Sequence, residues 1–254
     1  MSSPARPALA VDGAGLKIGG ARILEDVRFE VAAGEMVGVI GPNGAGKTTL
    51  FNLISGVLRP TEGRIVLGGA DVTGASIHAR ARAGLGRTFQ TSSLFPQLSV
   101  LENVRLAAQA RRGGSLSVLK FPRSADEATR VARENLAEVG LQDKAATAAG
   151  DLAHGDKRKV EIAMLLAADP SVILLDEPMA GVASGDVPSL SAIIRRMHRD
   201  RGCTVLMVEH HMDVVLGLVD RVAVMHHGKL LAIDTPDAVM ANPTVQSAYL
   251  GEPV

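Results

Sequence analysis

The chain has 254 residues, 46% of them hydrophobic, and 27 Lys and Arg balance 27 Asp and Glu, so its formal net charge is zero. This length is enough for one large α/β domain or for a core with a subdomain. The charge balance provides no basic field for nucleic acid or an acidic membrane, and an aromatic content of 2% without Trp argues against a stacking platform for single strands.

The first third of the chain is predicted to consist of strands and turns. Its N-terminal residues lack the apolar stretch of a signal peptide. An apolar segment over residues 23–31 ends at a turn and precedes a strand-like run over residues 36–40. Another short strand is predicted over residues 64–68. The basic side chains that follow are interpreted as a solvated helix face: His78, Arg80, Arg82 and Arg87.

Residues 41–49 fit the phosphate-binding pattern G-x-x-x-x-G-K-[ST], with a strand before them and a helix-forming run after them. The glycines let the backbone turn so that successive N–H groups point at phosphate oxygens. The ammonium of Lys47 can reach the β- and γ-phosphates, and the hydroxyl of Thr48 can bind Mg²⁺. The predicted binding residues are Gly41, Pro42, Asn43, Gly44, Ala45, Gly46, Lys47, Thr48 and Thr49. The sequence therefore predicts that the chain binds a nucleoside triphosphate.

The middle of the chain, from about residue 99 to 168, has helical periodicity. One helix is indicated around Val100 and Val104 and a second around Ala128 and Leu136, with a loop or small insertion over residues 111–124. A third helix starts with small residues, whose backbone N–H groups could bind a phosphate. This start consists of Leu152, Ala153, His154, Gly155 and Asp156.

The last third alternates strands and helices. The predicted order is strand 172–175, helix 187–199, strand 204–208, helix 212–219 and strand 221–225. This alternation is typical of a parallel sheet with crossover helices. The sequence thus predicts an α/β core interrupted by a helical subdomain. The single Cys203 excludes an internal disulfide and suits a reducing cytosol.

Two adjacent carboxylates follow the predicted strand 172–175. Asp176 could hold Mg²⁺ through a water, because the carboxyl end of this strand is expected near the phosphate loop. Glu177 could orient and polarise the attacking water in phosphoryl transfer. The alternative interpretation is an acidic residue that caps the strand end.

Other charged clusters favour simpler interpretations. The pairs His210–His211 and His226–His227 would place adjacent side chains on opposite faces of a strand, which argues against joint metal chelation. The basic run over residues 195–201 is interpreted as the exposed face and last turn of a helix rather than a nucleic-acid site. The Asn-Lys-x-Asp guanine reader of GTPases does not occur.

Together these motifs resemble the ATP-binding-cassette (ABC) ATPases. Residues 152–156 resemble their LSGGQ signature, Gln90 matches the Q-loop glutamine that reaches Mg²⁺, and His210 matches the switch histidine that senses the γ-phosphate. The resemblance implies ATP and Mg²⁺ as cofactors, Glu177 and His210 as catalytic residues, and Thr48, Gln90 and Asp176 around the metal. It also implies a P-loop NTPase fold over residues 6–251, with a parallel RecA-like core sheet, an N-terminal antiparallel β subdomain and a helical subdomain inserted at about 91–168.

Finer features resemble one branch of this family. Residues 86–104, 154–167, 174–182, 208–236 and 242–252 look like the ATP-binding subunits of branched-chain amino-acid importers. Urea and amide importers are closely similar. The lipopolysaccharide-export ATPase shares the YLGE ending but typically has Leu-Pro-Gln where residues 88–90 read Thr-Phe-Gln. Soluble ABC proteins of DNA repair or translation usually carry a coiled coil, a zinc insertion or two fused cassettes, which this sequence lacks.

The importer resemblance implies a set of partners. These are transmembrane permease subunits, a second ABC ATPase subunit in a homo- or heterodimer and, indirectly, a periplasmic solute-binding protein, without nucleic acid. The implied location is peripheral, on the cytoplasmic face of the inner membrane.

Four residues depart from the family pattern. Ala153 replaces the signature serine, and Asp156 replaces the signature glutamine, where it is expected to cap the helix or to lean toward Lys157 or Arg158. Ala183 stands where many relatives have the D-loop aspartate. Ile18 stands where an aromatic side chain usually stacks on adenine, so base selectivity is expected to be loose.

Overall fold

The computed structural model describes residues 6–88, 94–111 and 127–250. These residues form two compact units. The first contains the described residues up to Arg87, the segment Ser171–Glu177 and the described residues from His198 onward. The second contains the described residues between Thr88 and Pro170 and the segment Pro178–Met197.

The strands all belong to the first unit. They are β1 (Leu9–Ile18), β2 (Ala21–Val31), β3 (Met36–Ile40), β4 (Glu62–Leu67), β5 (Ala70–Asp71), β6 (Leu85–Arg87), β7 (Val172–Asp176), β8 (Thr204–Val208), β9 (Arg221–His226) and β10 (Lys229–Asp234). In the described part of the chain they form a four-stranded antiparallel sheet, β2-β1-β4-β5, and a six-stranded sheet, β10-β9-β3-β8-β7-β6. The strand predictions for residues 36–40 and 204–208 are confirmed.

The larger sheet is parallel except for β10, which runs antiparallel to β9. Strands β3, β7 and β8 are buried along their whole length, and this explains their continuous apolar sequences. The carboxyl ends of these parallel strands lie at one edge of the sheet. The residues that follow β3, β7 and β8 are therefore brought together there.

The helices are α1 (Lys47–Ser55), α2 (Ile77–Arg82), α3 (Val100–Arg111), α4 (Glu127–Glu138), α5 (His154–Ala167), α6 (Val187–Arg201), α7 (Met212–Leu218), α8 (Pro236–Met240) and α9 (Pro243–Leu250). In the second unit α3, α4 and α5 pack on one another, and each contributes a fully buried residue, namely Val104, Leu136 and Val160. Apart from Arg111, the loop predicted at 111–124 lies outside the described residues. None of the helices that the structure describes combines the length and apolar character required to span a bilayer.

The prediction of a solvated basic face on α2 is wrong for Arg80. His78 and Arg82 are exposed, but Arg80 is fully buried. Its guanidinium donates to the carbonyl oxygens of Leu53 at 2.6 Å and Ile54 at 2.7 Å, in the last turn of α1. It also donates to the carbonyl oxygens of Thr73 and Ala75. The cation therefore supplies donors to carbonyl oxygens in the last turn of α1, where Leu53 also accepts from the N–H of Gly56 at 3.3 Å.

Candidate nucleotide-binding site

The loop between β3 and α1 is packed too closely to accept side chains at two of its glycines. A Cβ atom on Gly41 would lie 2.1 Å from the carbonyl oxygen of Met225 on β9. Gly46, the residue that precedes α1, has φ 98°, and a Cβ atom there would lie 2.6 Å from Cδ2 of Leu24. Glycine at these positions lets the backbone adopt the cradle conformation that the sequence predicts.

Lys47 begins α1 and is buried inside this loop. Its ammonium donates to the carbonyl oxygens of Gly41 at 2.7 Å and Pro42 at 3.0 Å. Burial lowers the pKa of Lys47 from its ordinary value, and the nearby carboxylate of Glu177 opposes this shift. The loop therefore contains a partly desolvated cation next to backbone N–H groups, an arrangement that favours an anionic ligand.

A cavity of about 290 Å³ opens over the loop. It is lined by Ile23, Asn43, Gly44, Ala45, Gly46, Lys47, Thr48, Thr49, Glu177 and His210. Residues of the phosphate loop thus share one cavity with the two predicted catalytic side chains. Apart from Ile23 on β2, its residues follow the carboxyl ends of β3, β7 and β8, as expected for a ligand site in a parallel sheet.

Within the cavity, Glu177 and His210 are direct partners. Oε1 of Glu177 lies 2.9 Å from Nε2 of His210. The backbone N–H of Glu177 donates to the carbonyl oxygen of Val208, the last residue of β8, so β8 brings the two side chains together. Glu177 adopts a φ of 48°, in the left-handed region that non-glycine residues rarely occupy. Such strain is common at functional sites.

Asp176, the last residue of β7, is buried and faces Arg87. Nη2 of Arg87 donates to Oδ2 of Asp176 at 2.7 Å, and Nη1 donates to Oγ of Ser55 at 2.6 Å and Oδ1 of Asn52 at 2.8 Å. Arg87 ends β6 rather than lying on a helix, and its side chain is only 9% exposed. The prediction of a solvated helix face is therefore wrong for Arg87 as well.

The oxygen atoms near the loop fit a magnesium ion. The hydroxyl of Thr48 and the carboxylate of Asp176 are hard oxygen ligands of the kind that Mg²⁺ prefers. No cluster of three His, Cys, Asp or Glu side chains suited to a metal ion occurs in the part of the chain that the structure describes. The protein would therefore supply few ligands, and phosphate and water oxygens would complete the shell, as is usual for Mg²⁺. The predicted ligand Gln90 lies outside the described residues.

The prediction that His210 and His211 lie on a strand, with their side chains on opposite faces, is wrong, because both residues follow β8 in a loop. The backbone N–H of His210 donates to Oε2 of Glu209 at 3.0 Å, and Nδ1 of His211 lies 3.3 Å from the same oxygen. Glu209 is buried, so its carboxylate anchors the loop that carries His210. The pair His226–His227 stacks edge to face at a centroid distance of 4.1 Å.

The signature-like segment belongs to the second unit. Leu152 is buried, Ala153 precedes α5 without a side-chain cap, and His154 begins the helix. Gly155 packs closely enough that a Cβ atom there would lie 3.0 Å from Oδ2 of Asp186. A larger residue at this position would therefore require the side chain of Asp186 to shift by a few tenths of an ångström.

Asp156 pairs with Lys144 and, at 3.3 Å, with Lys159. The expectation that it caps α5 or leans toward Lys157 or Arg158 is wrong. Burial alone would raise the pKa of Asp156, but the hydrogen bonds from the two lysines outweigh it and hold the pKa below its ordinary value. The extra negative charge at the start of α5 is thus compensated locally.

The other two departures lie at the surface. Ile18, at the end of β1, is 55% exposed. Ala183 is also exposed, and its carbonyl oxygen accepts a hydrogen bond from the N–H of Asp186 at 2.8 Å.

Two family models match the chain. The family model described as "ABC transporter" matches residues 24–180, and the model described as "Branched-chain amino acid ATP-binding cassette transporter" matches residues 229–254. The first match includes the phosphate loop, the signature-like segment, Asp176 and Glu177. The second covers the C-terminal part of the chain.

Similar proteins include an importer subunit and an exporter subunit. The high-affinity branched-chain amino acid transport ATP-binding protein BraF of Pseudomonas aeruginosa is 39% identical over 97% of this chain and 99% of its own length. The lipopolysaccharide export system ATP-binding protein LptB of Acidithiobacillus ferridurans is also 39% identical, over 91% of each chain. Sequence identity alone therefore does not separate the two, whereas coverage favours BraF.

Among solved structures, the chain is similar to an ATP-binding cassette of an ABC transporter in its ADP conformation. The TM-score is 0.85 at 31% identity, over 97% of this chain and all of the other. These comparisons, with the geometry of the loop and of the carboxyl ends of the strands, confirm the predicted fold. The chain belongs to the ATP-binding-cassette transporter family, among its ATPase subunits of the branched-chain amino-acid type.

Proposed function

We propose that this chain hydrolyses ATP to drive an importer of branched-chain amino acids. The observation that carries the proposal is the shared cavity, in which Glu177 and His210 lie 2.9 Å apart over the phosphate loop. The family match over residues 229–254 and the nearly complete coverage of BraF support the branched-chain amino-acid assignment.

In this proposal the triphosphate lies along the backbone N–H groups of residues 41–49. The ammonium of Lys47 exchanges its carbonyl partners for the β- and γ-phosphates. Thr48, Asp176 and Gln90 would hold Mg²⁺, which would supply positive charge to the phosphate oxygens. Glu177 orients the attacking water and accepts its proton, and His210 both positions Glu177 and contacts the γ-phosphate.

The complete site requires a second subunit. Residues Leu152, Ala153, His154, Gly155 and Asp156 bind the γ-phosphate of the ATP held by the partner, through N–H groups at the start of α5. Because Lys144 and Lys159 compensate the charge of Asp156, the aspartate remains compatible with an anionic ligand. The ATPase domain spans residues 6–251, with its helical subdomain at about 91–168.

The subunit acts peripherally on the cytoplasmic face of the inner membrane. Its partners are permease subunits and a second ATPase subunit, homo- or heterodimeric, and a periplasmic binding protein delivers the solute. Two alternatives remain to be tested. The chain could serve a urea or amide importer, whose ATPase subunits are closely similar, or a lipopolysaccharide exporter, because it is 39% identical in sequence to LptB. Uptake of labelled leucine and of labelled urea, measured in cells without the chain, separates the importers. A defect in lipopolysaccharide export without loss of either uptake would indicate an exporter.

Substitution Glu177→Gln tests the hydrolytic site. The amide keeps the shape of the side chain but removes the anionic base, so ATP should bind and remain unhydrolysed. Because each trapped ATP joins the phosphate loop of one subunit to α5 of the other, Mg-ATP should shift the variant to a dimer in size-exclusion chromatography, and ADP should not.

A matched control is Glu30→Gln, which changes an exposed glutamate on β2 and should hydrolyse ATP like the unmodified protein. Normal turnover by Glu177→Gln would disprove the role given to Glu177. A variant that stays monomeric with Mg-ATP, even when permeases are added, would disprove the shared site.

A further inference from the structure

Arg87 connects three elements around the nucleotide site. It ends β6, its guanidinium reaches Ser55 and Asn52 on α1, and it binds Asp176 at the end of β7. Nη1 also lies 3.3 Å from the carbonyl oxygen of Phe51 on α1. The side chains of Arg87 and Asp176 are only 9% and 4% exposed. This ion pair is therefore buried, and its geometry is defined by fixed partners on two sides.

The position of the contact matters because α1 and β7 carry different parts of the site. Helix α1 begins with Lys47 and Thr48, whereas β7 ends with Asp176 and leads into Glu177. A guanidinium is planar and presents donors in several directions, so a single Arg87 side chain can bind the carboxylate and the helix at once. A lysine ammonium at the same position is a point charge on a flexible stem and cannot reproduce both contacts.

We propose that Arg87 is a positioning residue for the metal–nucleotide complex. By holding Oδ2 of Asp176 against α1, it restricts the carboxylate relative to the helix that carries Thr48, so both oxygens would be available to a metal ion without rearrangement. A carboxylate has enough lone pairs to accept from Arg87 and to face a metal-bound water as well. This inference rests on the proposed ATPase function, and it concerns metal affinity rather than the chemical step.

The test compares two arginines that both contact α1. Arg87→Lys cannot keep the contacts to both Asp176 and α1, whereas Arg80→Lys disturbs carbonyl contacts in the last turn of α1. Mn²⁺ serves as a paramagnetic probe for Mg²⁺, and its affinity in the presence of a non-hydrolysable ATP analogue is measured by electron paramagnetic resonance. Affinity for a fluorescent ATP analogue is measured separately in EDTA.

The expected result is a loss of Mn²⁺ affinity of about 10-fold or more in Arg87→Lys, the usual size of an outer-shell effect. Metal-free nucleotide affinity should change by less than about twofold, and Arg80→Lys should not lose Mn²⁺ affinity selectively. Equal loss of both affinities in Arg87→Lys, or the same selective loss in Arg80→Lys, would overturn the proposal. Tighter Mn²⁺ binding would also overturn it, because Arg87 would then compete with the metal for Asp176.

Two further measurements distinguish a failure of the Arg87 proposal from a folding defect and from a failure of the proposed function. If Arg87→Lys does not fold, Ser55→Ala removes one partner of Arg87 on α1 and should weaken Mn²⁺ binding in the same direction, by a smaller factor. Unchanged Mn²⁺ affinity in Ser55→Ala would then count against positioning. Failure of the unmodified protein to bind Mn²⁺ with the ATP analogue would disprove the ATPase function itself. Equal Mn²⁺ affinity in the unmodified protein and in Arg87→Lys would disprove only the role of Arg87.

Discussion

Substitution Arg80→Met tests whether a buried cation stabilises the helix that begins with Lys47. Methionine keeps much of the aliphatic volume but removes the guanidinium that donates to the carbonyl oxygens of Leu53, Ile54, Thr73 and Ala75. Each hydrogen bond from a charged group contributes ~1.5–3 kcal/mol net, although such values do not add. Burial and the nearby Arg59 lower the pKa of Arg80, which means that they disfavour its charged form. Removing the cation therefore also removes this unfavourable contribution to stability.

The balance predicts a loss of about 3–5 kcal/mol in the free energy of unfolding, because several carbonyl oxygens lose a charged donor and each unmade buried hydrogen bond costs ~1–3 kcal/mol without full additivity. At ~2–4 °C per kcal/mol for a chain of this size, the melting temperature should fall by about 6–20 °C. Differential scanning calorimetry measures the shift. Arg82→Met, on the exposed side of the same helix, is the control and should stay within ~0.5 kcal/mol. Equal shifts in the two variants would refute the reasoning.

Two further predictions concern the reaction. His210→Ala should still bind ATP but lose about 10²–10³-fold in turnover, since it removes a polar contact near the γ-phosphate. His211→Ala should change turnover little, and an assay of phosphate release distinguishes the two variants. An inactive His211→Ala would show that the switch histidine is His211 instead. Because the exposed Ile18 offers no stacking surface, worth ~1–3 kcal/mol per base in nucleic-acid complexes, hydrolysis rates for ATP and GTP should differ by well under ~100-fold. A strong preference for ATP in steady-state assays would show that another residue contacts the base.

Periodicity located the central strands because burial on both faces leaves a continuous apolar run. Strands β3 and β8 match the predicted ranges, and β7 extends the prediction by one residue. By contrast, β1 and the three-residue β6 were not predicted. Gly13 and Gly15 interrupt the alternation of β1, whose pairing with β2 and β4 has register shifts around them. Short or irregular strands give a weak periodic signal.

The motifs predicted which residues face the nucleotide but not which side chains contact one another. Glu177 and His210 are brought together by β7 and β8, although they are 33 residues apart in sequence. Arg80 and Arg87 look solvated in sequence because charge spacing contains no information about carbonyl or carboxylate groups on other elements. Likewise, Asp156 pairs with Lys144, which lies outside α5 and 12 residues earlier in the chain. A prediction that considered only adjacent residues could not identify this partner.

The strand order of the larger sheet has a consequence for the synthesis of the protein. Strand β3, which leads into the phosphate loop, lies between β8 and β9, and these strands appear about 160 residues or more later in the chain. Gly41 also packs against the carbonyl of Met225, close to the end of β9. At ~5–20 residues per second, the ribosome needs roughly 10–40 s to proceed from the end of β3 to the end of β9. The nucleotide cradle therefore cannot be completed by an N-terminal fragment, so ATP can stabilise only a nearly full-length chain.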